Sequence, residues 1–221
     1  MNVSGLPRAA ATVVLLLGWI LASHLGSTGR GPMDLHVGVA IAPLIAALAI
    51  AVARLPRPLL KALAWLAVAG VLALLWPWLR TQVATLYFVQ HVGIHAALAS
   101  LFGLSLLGPG EAVITRLARI VVSPELSPGN LRYTRRATAA WALFFVVNGL
   151  VSVVLFAWAP REIWSLHANV LTGPLLGLMF LVEMLIRRFV LPPHERPSLM
   201  AVVRAWRLDS ERRQAGGGGP R

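Results

Sequence analysis

The chain has no cysteine, one lysine (Lys61) and only eight acidic residues in 221. The absence of cysteine removes disulfides, thiolate metal sites and cysteine nucleophiles. The shortage of acids leaves carboxylate catalysis poorly supplied, and no paired carboxylates stand at a useful spacing. Charged residues make up 13%, against roughly 25% in a soluble domain, so a water-facing globular surface cannot be assembled. Neither a phosphate loop, nor Gly-x-Gly-x-x-Gly, nor a Gly-x-Ser-x-Gly elbow is present. No cofactor is implied.

Apolar sequence takes up the space left by these absences. Hydrophobic residues reach 57% and mean hydropathy is +0.74. A bilayer core of ~30 Å needs roughly 20 apolar residues in a helix. Six stretches qualify: 11–26, 36–53, 59–79, 83–107, 137–158 and 163–186. Proline and glycine cluster between them, as at Arg54-Leu-Pro-Arg-Pro58 and Gly108-Pro-Gly110, where helices stop. The expected fold is an all-α membrane protein with six transmembrane helices over residues 1–188. An interfacial amphipathic segment over 189–208 and a disordered tail over 209–221 are expected to follow. The first stretch is short enough to resemble a signal peptide. Its cleavage signal, within Leu21-Ala-Ser-His-Leu-Gly26, is poor, so a retained span is expected.

Nineteen of the twenty basic residues are arginine. Placing the amino terminus in the cytoplasm puts seventeen of the twenty bases inside and leaves only Arg30, Arg80 and Arg161 outside. Such asymmetry is the positive-inside pattern. It predicts both termini in the cytoplasm and a multi-pass protein of the bacterial cytoplasmic (inner) membrane. The net charge of +12 is then a topology signal, with no need for nucleic acid.

The outer connections are too short to form a domain, so the extramembrane material lies in residues 108–136 and 187–221. In the loop, 111–121 reads as a short interfacial helix with Val113, Leu117 and Val121 as its apolar stripe. A turn-rich stretch, 123–130, precedes Arg132, Arg135 and Arg136, which share one helical face. Arg116, Arg119, Arg132, Arg135 and Arg136 anchor the next span and form a candidate patch for anionic lipid or an acidic partner. In the tail, Leu199, Val202, Val203 and Trp206 form a second apolar stripe.

Polar groups inside a span cost ~2.5–3.5 kcal/mol when charged, so they mark sites by default. At 1.5 Å per residue, His95 and Asn148 fall near the midplane, His91 above them, and Asn169 and Thr172 in the outer half of the last span. His91, His95, Asn148, Asn169 and Thr172 form a candidate buried polar cluster. Interhelical hydrogen bonding is its simplest use, and proton or substrate handling the sharper one. A His-x-x-x-His pair with no third ligand is a weak metal signal. Glu183 and Arg187, one turn apart, read as an ion pair at the helix end.

Several stretches resemble a family of uncharacterised bacterial inner-membrane proteins often encoded in aryl polyene (xanthomonadin-like) pigment biosynthesis clusters. They are Ser105-Leu-Leu-Gly-Pro109, Arg116-Leu-Ala-Arg119, Leu126-Ser-Pro128, Arg132-Tyr-Thr-Arg-Arg136, Trp141-Ala-Leu-Phe-Phe145 with Asn148-Gly149, and Phe180-x-x-Glu183 with Arg187-Arg188. The family has no assigned reaction. The resemblance implies an accessory or scaffold protein supporting synthesis or handling of a membrane-bound polyene lipid at the cytoplasmic face. Its implied partners are anionic lipids, an acidic acyl carrier protein or the biosynthetic enzymes. Two alternatives stand beside it: a small transporter or exporter, as a homo-oligomer, using the His/Asn cluster; and an intramembrane enzyme.

Overall fold

In a computed structural model, residues 5–196 are described. The described chain is all-helical, with six stretches long and apolar enough to cross a membrane. The first four are α1 (Gly5–Ser27), α2 (Met33–Ala53), α3 (Pro58–Thr81) and α4 (Val83–Leu107). The short α5 (Val113–Val121) precedes α6 (Pro128–Trp158). The sixth stretch starts as α7 (Arg161–Ser165), passes through a π-helical segment (Leu166–Leu171) and continues as α8 (Thr172–Val190). A 3₁₀ turn, Pro193–Glu195, follows.

Two boundaries depart from expectation for identifiable reasons. α6 begins at Pro128, inside the stretch read as turn. Ser127 caps it: its hydroxyl accepts the Asn130 N–H at 3.1 Å, three residues on, the usual N-cap geometry. Proline at the first helical position loses no hydrogen bond there. The Ser-Pro pair that looks like a turn is therefore a helix start. The π segment lies just before Pro174. Proline lacks the N–H that would bond the Val170 carbonyl, and its ring crowds that carbonyl. A local widening of the helix relieves the crowding, and the Thr172 N–H bonds the His167 carbonyl, five residues back.

The described chain divides into two compact units that share α4, α6 and the last helix. Unit one takes residues 1–93 and 149–174. Its core is Val37, Ala40, Leu79, Val83, Tyr87, Trp164 and Ala168. Aromatic rings reinforce it: Phe88 stacks on Phe156 at 4.0 Å, and Trp164 meets Phe156 edge-on at 5.0 Å. Trp164 is fully buried, and its indole N–H donates to the Ser152 hydroxyl at 2.9 Å.

Unit two takes residues 94–148 and 175 onward. Its core is Ile114, Tyr133, Ala137, Trp141, Phe145 and Leu191. Tyr133, Ala137, Trp141 and Phe145 recur every four residues and so form one face of α6. Trp141 packs against Phe180 at 4.5 Å and against Phe145 at 5.7 Å.

The short α5 differs from its expected orientation. Leu117, placed in the apolar stripe, is 53% exposed, while Ile114 and Thr115 are buried. Hydrogen bonds decide the face. The Thr115 and Thr134 hydroxyls are 2.8 Å apart, and the Ile114 N–H donates to the Thr138 hydroxyl at 3.2 Å. The segment from 189 also starts differently. Val190 still belongs to α8, Leu191 is buried, and the Ser127 hydroxyl donates to Glu195 Oε2 at 2.9 Å. The stripe from Leu199 to Trp206 and the tail over 209–221 lie outside the described residues.

Candidate functional site

The five residues of the expected polar cluster are taken up in different ways. His91 and Thr172 meet, with Nε2 3.0 Å from Oγ1. The Thr172 hydroxyl hydrogen is directed to the His167 carbonyl at 3.0 Å, so its oxygen accepts and His91 Nε2 donates. The His167 ring lies edge-on to His91, centroids 5.8 Å apart. His167, a polar residue of the same span as Thr172, is not one of the five expected cluster residues. It lies within the π segment, which no sequence period signals.

Asn169 joins a different group. Its amide donates to the Ser165 hydroxyl at 2.9 Å, the Ser27 hydroxyl at 3.2 Å and the Ser23 carbonyl at 3.3 Å. Two amide hydrogens serve three acceptors, so the longest contact is the weakest. Ser165 in turn faces His24 Nδ1 at 2.9 Å. These contacts tie α1 to the last helix across more than 140 residues of sequence. Elsewhere in unit one, Gln90 donates to the Ala40 carbonyl at 2.6 Å.

His95 and Asn148 belong to unit two and are both buried. The His95 ring approaches Phe145 edge-on at 6.1 Å. Asn148 Oδ1 has no hydrogen-bond partner among the described residues. Among the described residues, no three His, Cys, Asp or Glu side chains gather as a metal would require.

The arginine patch is also divided. Arg119 Nε donates to both Glu111 carboxylate oxygens, at 2.7 and 2.9 Å, and another of its nitrogens to the Pro124 carbonyl. That hydrogen bond, helped by the positive charges of Arg119 and Arg116, holds the Glu111 carboxyl below its ordinary value of 4.5. Arg135 donates to the Leu106 carbonyl at 2.8 Å, satisfying a group left open at the end of α4. Arg116, Arg132 and Arg136 are exposed; none makes a hydrogen bond or ion pair among the described residues, and Arg116 acts on Glu111 through its charge alone.

A groove of about 730 Å³ runs along α6 and α8 within unit two. Gly129, Arg132, Tyr133 and Arg136 line it from α6, with Ala137 and Ala140 deeper along the same helix; Met179, Val182, Glu183, Ile186 and Val190 line it from α8. Its volume falls in the range of small-molecule sites, roughly 300–1,000 Å³. Glu183 forms the anticipated pair with Arg187, Nε to Oε1 3.0 Å. The Tyr133 hydroxyl completes the pair, donating to Glu183 Oε1 at 2.8 Å. Tyr133 and the groove were missed from the sequence, since nothing local links residues fifty positions apart. The four-residue spacing of Tyr133, Ala137 and Trp141 was the available clue. Arg132, Arg135, Arg136, Leu106 and Ala139 border a second, smaller depression of about 390 Å³.

No protein-family model, curated protein or solved structure matches this chain.

Proposed function

We propose that this protein is an accessory or scaffold protein of the bacterial inner membrane. In this reading both termini are cytoplasmic, and the chain supports synthesis or handling of a hydrophobic, membrane-bound product at the cytoplasmic face. One contrast carries the reading. Polar side chains at membrane depth such as Asn169, Gln90 and Trp164 are used in helix-to-helix hydrogen bonds, whereas Arg116, Arg132 and Arg136 stand exposed with no hydrogen bond or ion pair among the described residues. Buried polar groups used this way hold helices together. Exposed guanidinium groups attract and orient acidic partners, and an acyl carrier protein is such a partner.

Reversing Arg116 and Arg132 to Glu is expected to abolish carrier-protein pull-down while leaving membrane insertion intact. Unchanged pull-down removes the carrier from the proposal. A deletion strain tests the role itself: reduced yield of normal products is the scaffold outcome. Product retained in cells indicates an exporter, and accumulated precursor an enzyme.

The transporter reading has one observation in its favour. The π segment places His91, Thr172 and His167 together, and π-bulges recur at functional sites. A His91→Ala variant that stops product export at normal protein level would favour it.

A further inference from the structure

We propose that the groove along α6 and α8 binds an anionic phospholipid. Its phosphate lies on Arg132 and Arg136, and the upper carbons of one acyl chain lie against Ala137, Ala140, Met179 and Val182. This goes beyond the accessory role and does not require it.

Charge is the first argument. Arg132 and Arg136 are one helical turn apart, so their side chains leave the same side of α6 with Cβ atoms roughly 5–6 Å apart. Both line the groove and are exposed, and both are uncommitted among the described residues. Two guanidinium forks at that spacing suit the non-bridging oxygens of a phosphate. Gly129, in the first turn of α6, lines the same end. Among the described residues, the acid lining the groove is Glu183, and its charge is already balanced by Arg187 and its Oε1 occupied by the Tyr133 hydroxyl. An incoming anion therefore meets a net positive rim.

Shape and polarity are the second argument. Away from the arginines, the walls are alanine, methionine and valine. Val182, Ile186 and Val190 are 41%, 49% and 58% exposed, on a helix of membrane-spanning length and hydropathy. That surface faces lipid when the chain spans a bilayer. A groove with its cationic rim at the helix end and its apolar wall toward the helix centre has the polarity of a phospholipid in one leaflet. An acidic protein segment would satisfy the rim and leave the apolar wall uncovered.

The test uses the full-length protein, purified in detergent, stripped of lipid and exposed to phosphatidylglycerol or phosphatidylcholine in mixed micelles, with retained lipid read by native mass spectrometry. Phosphatidylglycerol is expected to be retained at least tenfold better. Arg132→Gln with Arg136→Gln is expected to remove that preference, and Ala140→Trp, which fills the groove and keeps both arginines, to reduce retention of phosphatidylglycerol by a similar factor. Circular dichroism and elution volume report whether each variant folds; should Ala140→Trp misfold, Ala140→Leu takes its place. Equal retention of the two lipids, or a preference that survives both changes, overturns the site. Displacement by inorganic phosphate alone would make it a phosphate site and would equally overturn it. The Ala140 variant leaves the carrier-binding arginines in place, so failure of the lipid site and failure of carrier docking are read separately.

Discussion

Gly26 shows how a single missing side chain positions two helices. A Cβ built at this residue would lie 2.7 Å from both Cβ and Cγ of His36. His36 has little room to yield: it is buried, and its Nε2–H donates to the Arg30 carbonyl at 2.8 Å. Gly26→Ala is therefore expected to destabilise the protein by ~1–3 kcal/mol, the range for overpacking a close contact. The fall in melting temperature in detergent measures it, and an unchanged midpoint would show that α1 and α2 do not approach so closely. Asn169 acts at the same level through hydrogen bonds. Asn169→Leu removes donors to Ser27 and Ser23 of α1 and to Ser165 one turn away, and interhelical bonds such as the first two average ~0.6 kcal/mol with a maximum of ~1.7. The expected loss is ~0.6–2 kcal/mol, measured by reversible unfolding in mixed micelles, with protein level in cells reduced accordingly. A loss of function without loss of stability would instead mark Asn169 as part of a site.

Among the elements, α5 carries a pH-dependent contact outside the long apolar helices. Its orientation rests on the threonine pair with α6, and its leading edge on the Glu111–Arg119 contact. Because the folded Glu111 carboxyl titrates below its ordinary value of 4.5, the unfolded segment binds the proton more readily than the folded one. The contact's contribution is therefore complete above that ordinary value and lost as pH falls through the lower, folded one. Protection of the α5 amides, taken as exchange relative to the intrinsic rate at each pH, is expected to fall on acidification below 4.5, and Glu111→Gln to remove that fall in protection. Identical profiles for the two proteins would assign the exchange to other groups. The apolar stripe of α5 was readable as a period, but not its partner: the helix carries apolar residues on more than one side, and two threonine hydroxyls on α6 select which side is buried. The start of α6 was misread for the related reason that Ser-Pro-Gly serves equally as turn and as capped helix start. Only the downstream packing of Tyr133 and Ala137 favours the helix.

For the molecule as a whole, six helices of spanning length alternate with connections that differ in arginine content. Much apolar surface on these helices is exposed, as at Leu74, Leu104, Leu143 and Phe189, and lipid is the solvent that covers such surface without cost. Reporter fusions are expected to place residue 109 and the carboxyl terminus in the cytoplasm, with residues 29 and 159 on the opposite face. The reverse pattern would invert the orientation and move the arginine surface away from any cytoplasmic partner. The basic groove concerns this level too, since its rim and its wall come from segments of α6 and α8 that meet only when the chain is folded.

Composition and pattern were sufficient for the number of long apolar helices and the approximate place of most of their ends. Those properties depend on residues near one another in the chain and on the thickness of a bilayer. The choice of partner was decided by tertiary structure alone. His91 goes to Thr172, Asn169 to three serine residues, Arg119 to Glu111, and Tyr133 to Glu183. Helices this uniformly apolar carry little periodic asymmetry to say which face turns inward. Small shifts, such as the widened turn before Pro174, redirect every side chain beyond them, so the contacts follow from how the helices cross.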